Sequence, residues 1–292
     1  MWFPRFLSPL KPPLKRFRHR ARTGYINRFH SFTPADFREK LRGLGVKTGD
    51  VLCVQSSFDQ FLGFQGNVGD AIKSLQEAVG PDGGLLMPTH PFGGRAIDYV
   101  RAHPVTDLAR APSVMGLMTE ILRRTPGARR SIHPTHPVSV WGDKGLRLVN
   151  NDWESRTPCG RNTAYHRLLE SDGKILMLGT GVQPMVFYHT VEELIEPMMP
   201  ASPFTAEEYT LQTKNVDGKL YTSQMRLFEP VLSRNRRLSL LVPELKSRGF
   251  WREAKVGRLE ILLLRPDEVL EACRSMAKKG QFCYLPEKNR NN

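Results

Sequence analysis

Two hydrophobic rhythms run along this chain. Short, mostly apolar runs recur through its first two thirds: Val51-Leu52-Cys53-Val54, Leu85-Leu86-Met87, Val138-Ser139-Val140-Trp141 and Ile175-Leu176-Met177-Leu178. Runs of this kind predict strands buried on both faces. Amphipathic stretches lie between them. A helix is predicted to start at Thr33-Pro34-Ala35-Asp36, with Thr33 as N-cap, Pro34 in the first turn and Asp36 facing the positive helix end, and to run to about Leu44. Further helices are predicted from Ala71 to Val79 behind Asp70, from Ser113 to Arg124, over Leu146 to Asn150, and from Ala164 to about Leu169. Phe92 to Ala111 reads as irregular. The first strand, helix and second strand make a plausible βαβ unit.

After Pro197 the rhythm changes. Tyr209 to Thr213 and Leu220 to Ser223 alternate around Asp217-Gly218, the signature of a β-hairpin. Helical periodicity covers Val231 to Leu240, a strand follows at Lys255 to Leu263, and Pro266 opens a last helix ending near Met276. The fold class is therefore α/β, a central mostly parallel or mixed sheet flanked by helices, with a β-hairpin excursion in the C-terminal half. Residues 33–285 read as a single domain, 1–32 as a basic, flexible arm, and 286–292 as a polar tail.

Composition sharpens the picture. The 292 residues are 40% apolar and carry a formal net charge of +14. That balance favours anionic partners. The first 35 residues contain no Asp or Glu, and Trp2, Phe3, Phe6 and Phe17 interleave with their Arg and Lys residues. Pro4, Pro9, Pro12 and Pro13 interrupt the segment and no apolar core follows the charges, which excludes a secretory signal. Two readings of the arm stand: a solvated segment, or one that rests on an anionic membrane surface. No apolar run is long enough to predict a transmembrane helix. The four cysteines, Cys53, Cys159, Cys273 and Cys283, have no metal-site or disulfide spacing. A reduced, cytoplasmic location follows, peripheral at the inner membrane face if the arm binds lipid. No nucleic-acid-binding motif accompanies the charge, and no metal is expected.

The strongest chemical signal is Gly179 to Glu192, Gly-Thr-Gly-Val-Gln-Pro-Met-Val-Phe-Tyr-His-Thr-Val-Glu. A buried strand enters a Gly-rich turn, and His189 and Glu192 then fall on one helical face. A carboxylate there can fix the imidazole tautomer and make a general base, at the strand end where open α/β sheets bind ligands.

Five segments resemble the aminoglycoside 3-N-acetyltransferase family, acetyl-CoA-dependent antibiotic N-acetyltransferases. They are Gly49-Asp50 through Gln55-Ser56-Ser57-Phe58, Ala78 through Pro88-Thr89, Pro126 through His133-Pro134, Asp172 through Gly179, and His189-Thr190-Val191-Glu192. The resemblance implies acyl transfer from acetyl-CoA to an amine within a ternary complex, with His189 as general base and Glu192 orienting it. It suggests backbone N–H donors at Ser56-Ser57-Phe58 and at Gly179 to Gly181, Arg129 and Arg130 for the phosphates of the CoA thioester, and Thr163 in place of a family serine. His133-Pro134 matches a His-Pro of the family, first as packing. The chain departs where the family has a histidine before the serine pair, here Gln55, and where it has an Asn-Thr pair, here Met185-Val186. Gln55 cannot titrate, and two side-chain hydrogen-bonding groups near the thioester are absent.

The net charge points the acceptor toward an amino sugar bearing negative charge, such as a nucleotide-sugar or polysaccharide precursor. Glu192, Glu193 and Glu196 form a local cluster that keeps an aminoglycoside acceptor in play. The competing reading is a non-catalytic or membrane-tethered binding protein on an acetyltransferase scaffold.

Overall fold

The computed structural model describes residues 25, 26 and 28–285. The greater part of the basic arm and the polar tail lie outside the described residues. A seven-stranded mixed sheet forms the centre. Its strands are β1 (Val51–Ser56), β2 (Gly84–Pro88), β4 (Arg129–Arg130), β5 (Val138–Trp141), β6 (Lys174–Leu178), β9 (Arg252–Val256) and β10 (Leu259–Leu264), in the order β4-β5-β2-β1-β6-β10-β9. Only β2, β1 and β6 run parallel; the outer strands pair antiparallel. The sheet is mixed, its parallel part confined to the apolar runs at the centre.

Side-chain alternation splits the core between the two faces. Val51, Cys53, Leu86, Ile175 and Met177 pack on one side with α6 (Ala164–Glu170), α7 (Tyr188–Ile195) and α10 (Pro266–Lys278). Leu52, Val54, Leu85, Met87, Leu176 and Leu178 pack on the other with α1 (Pro34–Gly43), α2 (Val68–Val79) and α4 (Leu117–Arg124). Period-two strands with two apolar faces require this sandwich.

Several boundaries differ from the sequence expectation, each for a local reason. The cap of α2 is Asn67, which accepts from the Gly69 and Asp70 N–H groups, while Asp70 closes a capping box from inside the helix. Helix α4 starts at Leu117 because Gly116 takes φ +117°; Ser113 lies upstream and bonds Thr119 and Glu120. The helix expected at Leu146 to Asn150 is α5 (Asp143–Arg147). The stretch read as irregular holds α3 (Ala96–Ala102) and β3 (Val105–Asp107), and β3 adds in parallel to β7 (Phe204–Lys214) of the hairpin. Strand β8 (Leu220–Phe228) completes this second, three-stranded sheet. The continuous helix expected at Val231 to Leu240 breaks into α8 (Pro230–Asn235), two extended residues Arg236 and Arg237, and a 3-10 turn at Leu238–Leu241; α9 (Val242–Ser247) follows. The last residues assigned to the arm join the fold: Ile26 and Phe32 are buried, and Phe32 bridges Phe64.

Leu176 is fully buried on the central strand β6. Leu176→Ala is expected to cost about 2–5 kcal/mol of unfolding free energy. Asn67→Ala, which removes only a cap, should cost about 0.5–2 kcal/mol. Equilibrium denaturation of both variants checks this, and equal losses would mean that β6 is not the packing centre.

Candidate active site

The chain passes from β1 to β2 on one side and later returns to β6 on the other, so the C-terminal end of β1 is the topological switch point of the sheet. The candidate side chains gather at this edge. His90 follows β2, Gln55 and Ser56 end β1, the Gly179 turn ends β6, and His136 precedes β5, which enters the sheet here because it runs antiparallel. Gly179 sits at φ +69°, and a Cβ there would lie 2.5 Å from Cβ of Gln60, so the turn has room for glycine alone.

Helix α7 presents His189 and Glu192 together: His189 Nδ1 lies 2.7 Å from Glu192 Oε2. Glu192 has no exposed surface. Its carboxylate also accepts from Arg236 Nε at 2.8 Å and Nη2 at 3.0 Å, and from the Tyr284 hydroxyl. Burial pushes the Glu192 carboxyl up, but the Arg236 charge with the bonds from His189 and Arg236 outweighs it, and the net shift is down. Glu192 is therefore ionised at neutral pH. His189 is held below the usual imidazole value by burial and by Arg236, against the opposing pull of Glu192. A neutral imidazole whose Nδ1–H donates to a carboxylate keeps a lone pair on Nε2, and no described residue bonds that atom.

Aromatic rings frame His189. Phe228, at the end of β8, stacks on His189 with centroids 4.2 Å apart. His136 meets His189 edge-on at 5.7 Å and His90 at 4.4 Å. Burial holds His90 and His133 down at about 3 and His136 well below its usual value. His133 Nδ1 accepts from the His136 N–H at 3.0 Å and the Thr135 N–H at 3.3 Å, so it shapes the turn that carries His136.

Other residues nominated from the sequence fall into different roles. The Ser57 N–H donates to Leu178 O and the Gly179 N–H to Glu260 O, so neither is a free oxyanion donor. The Phe58 side chain packs against the apolar core, and its N–H has no hydrogen bond among the described residues. Ser56 Oγ is buried without a partner, and the Gly181 N–H has no hydrogen bond among the described residues. Thr163 caps α6: its hydroxyl donates to Gly160 O at 2.7 Å and accepts from the His166 N–H. The Arg130 guanidinium donates to the carbonyls of Thr89, Leu108 and Ala111, which makes it a strut. Arg129 bonds Leu146 O and Asn150. Both arginines line a cavity of about 490 Å³ that also touches the tip of the β7–β8 hairpin and does not include His189.

Gln55 holds the loop ahead of α7, donating to Pro184 O and accepting from the Val186 N–H at 3.1 Å. Of the expected acidic cluster, Glu193 is half-buried and bonds Thr157 and the Cys159 N–H, and Glu196 bonds Ser202 and faces Arg226. All four cysteines are buried and free. Among the described residues no helix is long and apolar enough to cross a membrane, and no His/Cys/Asp/Glu group is arranged to hold a metal ion.

The sequence reading missed His90, His136, Phe228, Arg236 and Tyr284. Position at a strand end could have flagged His90. Arg236 and Tyr284 carry no local signal, since only tertiary structure brings them to Glu192.

A mixed α/β sheet with a buried acid–histidine pair at its switch point defines the class. The family model for aminoglycoside 3-N-acetyltransferase matches residues 53–278, and the chain belongs to that family. An aminoglycoside N(3)-acetyltransferase III from Acinetobacter baumannii is 29% identical over 170 residues, 54% of this chain and 59% of the relative. An aminoglycoside N(3)-acetyltransferase IV from a Salmonella species is 25% identical over 260 residues, 88% of this chain and 91% of the relative. The chain thus spans about three fifths of the length of the first curated relatives it matches. In structure it is similar to AAC-IIIb in a binary complex with CoASH, at TM-score 0.72 and 20% identity over 87% of this chain and 99% of that one. It is also similar to a mutant of AAC(3)-IVa in complex with gentamicin, at TM-score 0.70 and 22% identity over 88% and 92%. At these identities the structural likeness shows the fold.

The buried histidines set a pH dependence of stability. A histidine depressed in the folded state contributes stability above its unfolded value of about 6.5 and loses it as pH falls. His90, His133, His136 and His189 all act in this sense. Two buried acids oppose them between about pH 7 and 4.5: Glu193, raised by burial to about 7, and Asp152, raised by burial to about 6. His90, His133 and His136, all held far below the usual imidazole value, outnumber the two acids, so stability should fall from pH 6.5 to 4.5, by about 1.4 kcal/mol per pH unit for each uncompensated histidine. Denaturation midpoints across that range check this. His90→Gln should flatten the slope, and an unchanged slope in that variant would contradict a neutral buried His90.

Proposed function

We propose that this chain is an acetyl-CoA-dependent N-acetyltransferase that acetylates an amine of an amino sugar or aminoglycoside in a ternary complex. The observation that carries the reading is the His189–Glu192 pair, with the carboxylate wholly buried and the imidazole neutral. Acetyl-CoA would supply an activated acetyl group as its thioester. The chain's task is then to remove one proton from the attacking amine. His189 Nε2 takes that proton as the N–C bond forms and the C–S bond breaks, and it returns the proton to the departing sulfur directly or through a water.

The remaining donors at the edge suit the thioester. Ser56 Oγ and the Gly181 N–H are polar groups without partners among the described residues, and they support binding of a carbonyl oxygen there. A direct transfer without an acyl-enzyme agrees with the thiols. Cys159 is buried, and burial together with the neighbouring Glu193 and Glu192 pushes it well above its usual value.

The acceptor reading follows from charge. Glu192, Glu193 and Glu196 are each bonded within the protein, and this supports an acceptor less cationic than an aminoglycoside. A second reading, a non-catalytic binding protein on the same scaffold, draws on Gln55 and on the apolar Met185 and Val186. The basic arm's contact with an anionic membrane surface belongs to that reading as well.

Thiol release from acetyl-CoA, followed against aminoglycosides, free amino sugars and nucleotide amino-sugars, separates the two. Turnover is expected with at least one amine, and His189→Ala should lower kcat by about 10²–10⁴-fold. CoA binding without turnover on any amine would place the error in the acyl donor or the acceptor. Absence of CoA binding would remove the enzymatic reading and put the binding protein first.

A further inference from the structure

Glu192 is held by two residues that lie far from it in sequence and next to each other in space. Arg236 sits in the two-residue extended break after α8, and Tyr284 lies beyond α10, past the end of the family match at residue 278. They form an antiparallel bridge with one another. The Arg237 N–H donates to Cys283 O at 2.8 Å and the Leu285 N–H to Asn235 O at 2.9 Å, so residues 235–237 and 283–285 are stitched into one strap. Gln183, in the loop ahead of α7, fastens the strap from the other side by bonding Arg236 O and the Leu238 N–H.

We propose that this strap is a positioning device for the base: Arg236 and Tyr284 keep Glu192 an acceptor toward His189 Nδ1 and thereby fix the tautomer that leaves Nε2 able to take a proton. The proposal rests on the reading of His189 as general base. A carboxyl group with no exposed surface stays ionised only while it is compensated. With Arg236 gone, burial would favour the protonated acid. The acid O–H would then donate to Nδ1, the imidazole proton would move to Nε2, and the base would face its substrate with a donor in place of a lone pair. Arg236 supplies the charge and two bonds, and Tyr284 one neutral bond, so their effects should rank in that order.

The groups around the pair leave the strap as the source of compensation. On α7, Tyr188 is buried with its hydroxyl pushed well up by desolvation, and Glu193 points to Thr157 and Cys159. From the loop before β5 comes neutral His136, and from β8 the apolar Phe228. From α10 and the strap come Cys273 and Cys283, both buried. Arg236 is the cation that hydrogen-bonds Glu192.

The test uses the full-length protein uniformly labelled with ¹⁵N. Long-range ¹H–¹⁵N spectra report the tautomer of His189, assigned by its loss in His189→Gln. The wild type should show the Nδ1–H form at pH 7.5, Arg236→Met the Nε2–H form, and Tyr284→Phe a mixture. Arg236→Lys should restore the wild-type tautomer in part, because the charge returns without the two-pronged geometry. In turnover, the acid limb of log kcat/KM should move to higher pH by at least one unit in Arg236→Met and by less in Tyr284→Phe. A merely structural role would lower the amplitude and leave the limb in place.

Retention of the Nδ1–H form in folded Arg236→Met and Tyr284→Phe proteins would overturn the proposal. Should Arg236→Met fail to fold, Tyr284→Phe, which removes one oxygen and keeps the ring, decides alone. The spectra need no turnover. An inactive wild type with the expected tautomer series would therefore remove the enzymatic reading and leave the strap's hold on Glu192 established.

Discussion

A carboxylate with no exposed surface is the constraint around which this site is built. Taking Glu192 out of water costs several kcal/mol unless charge and hydrogen bonds replace the lost hydration. Here they come from three parts of the chain: His189 one helical turn back, Arg236 in an extended break, and Tyr284 near the C-terminus. Each partner must be placed by packing before the carboxylate can be buried. The consequence reaches outward, since a helix, a break in a second helix and a terminal segment have to converge on one atom group. Burial of the acid is also what gives the arrangement chemical use, because in water the same pair would exchange partners with solvent and leave the imidazole tautomer undetermined.

The sheet brings this convergence to the right place. Its three parallel strands end together; Gln55 and Ser56 close β1, and the loops that leave β2 and β6 carry His90 and the Gly179 turn. Gln55 ties the end of β1 to both sides of Met185, the residue at which the loop turns toward α7. The position of His189 is thus referenced to the sheet through a side chain, in addition to the covalent path through the Gly179 turn. The second sheet contributes from the opposite direction. Its hairpin returns along β8 and delivers Phe228 flat against His189, which limits the rotation of the ring that Glu192 holds by one nitrogen.

Legibility in the sequence follows the range of the interaction. Leu85-Leu86-Met87 and Ile175 to Leu178 announce buried strands because every residue obeys the same local rule, and the alternation of their side chains between two cores adds nothing the pattern does not contain. The spacing of His189 and Glu192 is likewise local, and the pair is visible on the page. Arg236 and Tyr284 are not. The segment containing Arg236 reads as helix by periodicity, yet Arg236 and Arg237 are extended and pair with the terminal segment. Local preference lost there to the tertiary demand for a cation at Glu192, the kind of conflict expected where function is built. Ser57 and Arg130 fail for a related reason: residue type names a donor, but only the fold reveals that the donor is already taken.

Gln55 at the end of β1 has a consequence for proton traffic. A second imidazole at that position could compete with His189 for the proton released by an amine. Gln55 cannot, and its amide is already committed at both ends to the loop before α7. His90 and His136 lie close to His189, but desolvation keeps both neutral through the physiological range, and each would have to gain a charge beside Arg130, Arg236 or the other histidines to take a proton. His189 alone among these has a carboxylate to stabilise its charged form. On the proposed reading of His189 as general base, the distinction among these imidazoles is made by Glu192 and by the residues that keep it charged.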